Sequence, residues 1–402
     1  MKSVHHGLAV ALVLLTNACD KDPVSDDGDF VPRDSATLAV NGHGEVQTRF
    51  TAEVAVAGQW IYTTTWSFRA APGNALFVWN GSGGTPVLRD SVILDFATTL
   101  GDVQIADAGD LLVVATERSD GSIVIFDRSD PDNLVQLARH ISENTGNGVH
   151  TVKLGSVGNR DFAFLSVNAG GVMSSQLVIV DITDPANPIE ILVRPMGNPF
   201  IHDVFVRDGL LFTALWDNGM TIWDIGGGSR GGTPENPVQI SNIVTQNGNV
   251  HNIWWFHDPS SSAKRYVFVG EEAPGVTGAQ SSGDIHVVDI SDIENPREVA
   301  FYTLAGAGTH NFAMDEPSGI LYAAYYNGGV RALDVRGNLG VCPESARAPD
   351  GRCNLGLAGR VAGVALADRS VSIWGVGLNG STLYASDMLS GIFSIDVAPL
   401  IR

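Results

Sequence analysis

The stretch LVIVDITDPANPIEI, Leu177–Ile191, decides the fold, because worn copies of it recur along the chain. A short apolar run ends in Asp, a turn built on Asp and Pro follows, and a second apolar run begins. That is the pattern of strand, turn and strand. The copies are IVIFDRSDPDNLVQL (Ile123–Leu137), IHVVDISDIENPREVAFY (Ile285–Tyr302), MTIWDIGGG (Met220–Gly228), VRALDV (Val330–Val335) and FSIDV (Phe393–Val397). A recurring unit specifies a repeat architecture, so every other motif takes its meaning from its place in the unit.

Working outward, each copy is the later part of a longer unit. Two apolar bursts precede it: first HTVKL, HDVFV, HNIWW or HNFAM, then LLVVATE, LLFTALW, RYVFVGEE or ILYAAYY. Four short strands recurring at roughly 45–60 residues specify a blade of an all-β propeller. Seven units are counted, against six or eight as the neighbouring closed rings, and they begin near Thr51, Gly101, Gly148, Phe200, Asn249, Gly308 and Asp368. The last unit has no fourth strand, while Ala36–Phe50 carries surplus strand sequence before the first. An N-terminal strand completing the last blade closes the ring and removes an open sheet edge.

Segments of this form, following HxVxV bursts, resemble the LVIVD repeat of exported bacterial and archaeal propeller proteins. The resemblance covers most of the chain after Thr51 and is strongest over residues 101–306. It implies a propeller, often at the cell surface, and carries no enzymatic activity common to the family.

The rest of the chain fits that setting. A net charge of −20 disfavours nucleic acid, whose phosphates need clustered Lys and Arg. Lys2, the apolar run Leu8–Thr16 and the small residue before Cys19 form an export signal over residues 1–18, too short to span a bilayer. LLTNAC resembles the lipobox of bacterial lipoproteins, which implies a lipid on Cys19; ordinary secretion is the alternative. Residues 19–35 are acidic and read as a tether to a propeller over 36–402. SDDGD within the tether lacks the ligand spacing of a calcium loop. Cys342 and Cys353, eleven apart in a Pro/Gly-bearing loop, suit a local disulfide in an oxidising compartment, with free thiols as the other reading.

Propeller geometry lays the first strand of each blade along the axis and puts the Asp-Pro turns on the far face. Asp130, Pro131, Asp184 and Pro185 therefore read as turn formers, and the Asp ending each third strand (127, 181, 224, 289, 334 and 396) as a structural cap rather than a ligand. His150, His202, His251 and His310 start the first strand of four consecutive units, at the channel mouth. One reading gives each imidazole a hydrogen bond to a neighbouring blade. The other makes them a cluster for a transition metal or an anionic ligand. Strand alternation places each with the next alternate apolar residue, His202 with Val204 and Val206. Glu117, Trp216, Asp217, Glu271, Glu272, Tyr326, Asn327 and Asp387 fall on the same face. Glu271 and Glu272 suit acid/base chemistry or a divalent ion, and Trp216 and Tyr326 stacking on a sugar or peptide.

The sequence thus specifies an exported, lipid-anchored propeller acting as a binding or scaffold module at the cell envelope, for an envelope protein or a small ligand. The rival readings are a metalloenzyme built on the histidines and a purely structural envelope protein.

Overall fold

The computed structural model describes residues 30, 32, 34–118, 120–170, 174–197, 200–272 and 281–401. The signal segment, Cys19 and most of the tether lie outside these residues. The body is a seven-bladed β-propeller, each blade an antiparallel sheet. The inner strands are Phe50–Ala57, Leu100–Ile105, Val149–Val157, Asp203–Arg207, Val250–Asp258, Phe312–Asp315 and Ile373–Asn379, for blades 1 to 7. Each packs on the inner strand of the next blade, and blade 7 closes on blade 1.

No single blade can bury both of its apolar faces, so the core is distributed among the interfaces between blades. Between blades 3 and 4, for instance, Phe162, Phe164, Leu177 and Ile179 meet Val204, Leu211 and Trp223. Leu177 and Ile179 belong to the stretch quoted first, whose third strand is Ser175–Asp181. Its continuous apolar run reflects burial on both faces.

The Asp that ends each third strand organises the turn after it. Asp127, Asp181, Asp289 and Asp396 each accept a backbone N–H from two residues on, at 2.8–2.9 Å. Asn80 does the same in blade 1. Asp224 accepts four, from Gly226, Gly228, Arg230 and Gly232. Burial opposes its charge, but these four donors outweigh it and hold the carboxyl down at about 2. Asp224→Asn is expected to cost about 2–3 kcal/mol at neutral pH, because an amide cannot accept four such bonds on two oxygens. A denaturant midpoint equal to that of the wild type would discount this role.

The ring closes as the sequence implies. Val40–Glu45 pairs antiparallel with Gly391–Asp396 and supplies the outer strand of blade 7. Just before it, Ala36–Thr37 adds in parallel to Val361–Ala365, the outer strand of blade 6. Phe30 lies over the Arg360 guanidinium at 3.6 Å. Blade 6 also departs from the repeat: residues 335–360 intervene between its third and outer strands. That insertion contains the Cys342–Cys353 disulfide, which replaces the free-thiol reading. Its Cys353–Asn354 segment pairs in parallel with Arg297–Tyr302, the outer strand of blade 5.

Candidate functional site

The start of each inner strand is irregular in a way that builds the site. In blade 3, Val149 pairs with Val167 and Thr151 with Ser166, leaving His150 as an extra residue. Gly101, His251 and Trp374 are the extra residues of blades 2, 5 and 7. In blade 4, Ala214 pairs with Asp203 and also accepts the His202 N–H at 2.8 Å. In blade 6, Ala324 accepts the His310 N–H and donates to the Asn311 carbonyl. Such bulges re-aim side chains. Here they break the simple alternation expected from sequence: both members of the pairs His150–Thr151, His202–Asp203, His251–Asn252 and His310–Asn311 line one cavity of ≈ 220 Å³.

The four histidines meet along an arc. His150 Nε2 is 2.9 Å from His202 Nε2, and the ring centroids of His202–His251 and His251–His310 are 3.9 and 4.1 Å apart. Their environments then separate them. His150 Nδ1 is paired with Glu117 of blade 2. Burial lowers the His150 pKa, but Glu117 outweighs it and the net shift is upward. His310 Nδ1 hydrogen-bonds the Trp374 carbonyl of blade 7 at 2.7 Å. These two make the bond to a neighbouring blade.

His202 and His251 are different. Among the described residues, His251, 2 % exposed, has a hydrogen-bond partner at neither ring nitrogen, and His202, 6 % exposed, has none at Nδ1. Burial, reinforced by neighbouring histidines, holds both well below the usual imidazole pKa, so both are free bases at neutral pH. Their Nε2 atoms stand 3.6 and 3.5 Å from one oxygen, Glu272 Oε2. The other Glu272 oxygen accepts the Tyr326 hydroxyl at 2.6 Å. Among the described residues this trio alone brings three potential ligand atoms within 4.8 Å of one another.

The paired glutamates at the end of the second strand of blade 5 thus part company. Glu272 faces the histidines. Glu271 turns into the blade, with its Oε1 2.6 Å from His286 Nε2, an ion-pair contact rather than an aligned hydrogen bond. His286 Nδ1 meets Glu298 Oε1, also at 2.6 Å, and Glu298 pairs with Arg352 beside the disulfide. Sequence reasoning gave no role to His286, which sits inside a third strand where a core residue is expected.

The aromatic residues also take specific places. Tyr326 is fully buried beside His310 and Trp374 and offers no platform for a sugar or peptide, in contrast to the sequence reading. Trp216 is half-buried and lies over His202 at 5.5 Å with an interplanar angle of 26°. Both have positive φ, 49° at Trp216 and 38° at Tyr326, a backbone strain typical of sites held by their surroundings. Asp217 is exposed, while Asn327 and Asp387 bond loop groups around the mouth.

A second layer lies directly below the histidines. Glu53, Asp102 and Asp203 line the same cavity. Glu53 accepts Trp374 Nε1 at 2.7 Å and Asn311 Nδ2 at 2.5 Å. Asp102 accepts the Val103 and Val152 amides and Gln104. Burial raises all three carboxyls, Asp203 to about 7. These residues had no place among the sequence-derived candidates. For Asp203 the available signal was a polar residue following the His in an otherwise apolar strand; Glu53 and Asp102 follow Ala52 and Gly101, where no His marks the position.

Comparison with known proteins adds the repeat itself. The family model described as the LVIVD repeat matches residues 171–193, spanning the third strand of blade 3, its Asp-Pro turn and the start of its outer strand. No curated protein matches the chain. Among the described residues, no helix is long and apolar enough to cross a membrane.

Proposed function

On the premise of a seven-bladed propeller carrying the LVIVD repeat, we propose that this protein holds one divalent transition-metal ion at its channel mouth and binds a ligand there. His202, His251 and Glu272 are the metal ligands. One observation carries the reading: two buried neutral imidazoles, one without any hydrogen bond, share a single carboxylate oxygen at 3.5–3.6 Å. A tetrahedral ion with bonds of about 2.0–2.1 Å separates neighbouring ligand atoms by roughly 3.3–3.4 Å, so little movement closes the site.

The donor set, two imidazoles and a carboxylate, suits zinc or ferrous iron and leaves positions open to a ligand. Tyr326 on the far Glu272 oxygen is the outer partner that orients such a carboxylate. The His150–Glu117 pair stands beside the site: His150 Nε2 lies 2.9 Å from His202 Nε2, and once that nitrogen is given to a metal the proton at His150 Nε2 would be free for a bound ligand. His310 supports the arc through blade 7. The geometry favours this metal-centred site over a purely structural propeller, which has no use for a buried imidazole left, like His251, without a hydrogen bond among the described residues.

The setting is the cell envelope, with the chain exported and anchored by lipid at Cys19. The export signal and the oxidised Cys342–Cys353 pair support this placement. Two measurements test the proposal. Purified protein is expected to contain about one equivalent of metal by elemental analysis, and His202→Ala/His251→Ala to contain none. A metal-free wild type, even after incubation with Zn²⁺ or Fe²⁺, removes the reading. Separately, Cys19→Ser is expected to move the protein from the membrane fraction to the soluble fraction; unchanged membrane association contradicts lipidation.

A further inference from the structure

Phe30 and Pro32 show where the tether meets the body. The Phe30 ring lies 3.6 Å from the Arg360 guanidinium, and Pro32 stands so close to Gly359 that a Cβ there would be 3.1 Å from it. Arg360 donates to the carbonyls of Asp334, Arg336 and Asn338. Asp334 ends the third strand of blade 6. The other end of that strand, Val330, pairs with Ala324, which accepts the His310 N–H. The tether therefore joins blade 6 at the far face, and the histidines open at the opposite one.

The surface beside this junction is apolar. Leu357, two residues before Gly359 in the blade 6 insertion, is 69 % exposed, and Val341 in the same insertion is 63 % exposed. Ile401 is exposed too, next to Leu400, which lies with Leu38 against Gly363 on the outer strand of blade 6. Large apolar side chains left in water mark a surface for an apolar partner. Exposed apolar residues occur on other blades, but these flank the segment that leads to Cys19. Charge does not oppose such a contact. The insertion holds four Arg against Glu344 and Asp350, and Arg336 and Arg352 pair with Asp334 and Glu298 just outside it. The corner is thus neutral in a chain of net charge −20, and it is the part that anionic lipid headgroups repel least.

Length decides the orientation. Eleven residue steps separate Cys19 from Phe30. Fully extended, they reach at most about 36–40 Å. The longest inner strand, the nine residues Val149–Val157, makes the body roughly 26–30 Å tall. With the mouth turned to the membrane, most of the tether would be taken up in passing the flank of blade 6. With the far face turned to it, the junction sits at the bilayer surface at once.

We infer that the corner around Leu357 is the surface that rests on the lipid bilayer, and that the histidine mouth opens away from it. This rests on the lipid at Cys19 proposed above. It also sets the ligand class of the metal site: a water-soluble molecule arriving from the aqueous side, not one drawn from within the membrane.

The test uses full-length lipidated protein in phosphatidylcholine vesicles, with and without nitroxide-labelled phosphatidylcholine. Leu357→Cys and Asp217→Cys, the latter exposed beside the mouth, each carry the polarity-sensitive dye NBD. The dye at 357 is expected to shift to the blue and to be quenched about threefold more than the dye at 217, as for a side chain entering the headgroup region. With the dye moved to Val341→Cys, adding Leu357→Glu should reduce the quenching. Equal quenching at 357 and 217, or stronger quenching at 217, overturns the inference. Flotation of Cys19→Ser keeps the two readings apart. Vesicle binding that survives without Cys19 defeats the lipid anchor, whereas binding that needs Cys19 but quenches both positions equally defeats only the orientation.

Discussion

Glu272→Gln is expected to weaken zinc binding about 1,000-fold, while Glu271→Gln leaves the stoichiometry at one. Structural four-ligand zinc sites bind with about 10–16 kcal/mol, roughly 3–4 kcal/mol for each ligand, so removing one of three ligands here forfeits about 4 kcal/mol. The contrast between adjacent residues is the informative part. Glu272 Oε2 lies within 3.6 Å of both His202 Nε2 and His251 Nε2, whereas Glu271 is engaged with His286 inside the blade. Metal binding that depends on the folded state must also raise the thermal midpoint of the wild type in excess zinc, and must do so far less in Glu272→Gln. If Glu271→Gln abolishes the metal and Glu272→Gln spares it, the assignment of ligands is wrong.

The second large effect concerns stability and pH. Burial disfavours the charged form of His286, but the close Glu271 carboxylate and the hydrogen-bonded Glu298 carboxylate outweigh it and raise its pKa to about 9. Arg352 meets the same Glu298 oxygen, Oε1, that His286 Nδ1 meets, and is itself paired with Asp350, so a carboxylate oxygen stands between the ring and the guanidinium. The folded pKa stands above the unfolded value of about 6.5. The protonated form is therefore favoured by folding. Its contribution is fully present below about pH 6.5 and is lost as pH rises through about 9. The difference of about 2.5 pKa units corresponds to about 3 kcal/mol. Denaturant unfolding of chelator-treated protein between pH 6 and pH 9.5 should show that loss in the wild type. The same series in His286→Gln should be flatter by a similar amount, starting from lower stability. Parallel pH profiles for the two proteins would show that the buried ring does not carry this proton.

Much of the fold was legible because repetition reports architecture directly. Leu177, Val178, Ile179 and Val180 had to be a strand buried on both faces, and the Asp181–Pro185 segment could only turn. The missing strand at one end and the surplus strand at the other predicted the pairing of Val40–Glu45 with Gly391–Asp396. The insertion in blade 6 was legible only as a loop with two cysteines. Its pairing with blade 5 depends on where the edge of that sheet lies in space.

The site was half legible. The position of His150, His202, His251 and His310 in the repeat placed them at the channel mouth. It could not distinguish the two that bond a neighbouring blade from the two that share a carboxylate. Nor could it separate Glu271 from Glu272, since consecutive residues point to opposite sides and the choice of side follows from the local pairing.

By itself, then, the sequence determined the blade, the number of blades, the mode of closure and the end of the strands at which the four histidines gather. All of these follow from local periodicity and from the demand that every blade bury its faces against another. Only the tertiary structure decided which side chains meet. Irregular pairing at the head of the inner strands leaves Asp102, Asp203 and Asn252 lining the same cavity as the histidines. Packing of blade 4 on blade 5 then brings groups some 70 residues apart, His202 and Glu272, to one point. Apolar periodicity encodes which face of a strand is buried; it does not encode the extra residue in a strand or the distance between strands on opposite sides of a turn of the ring.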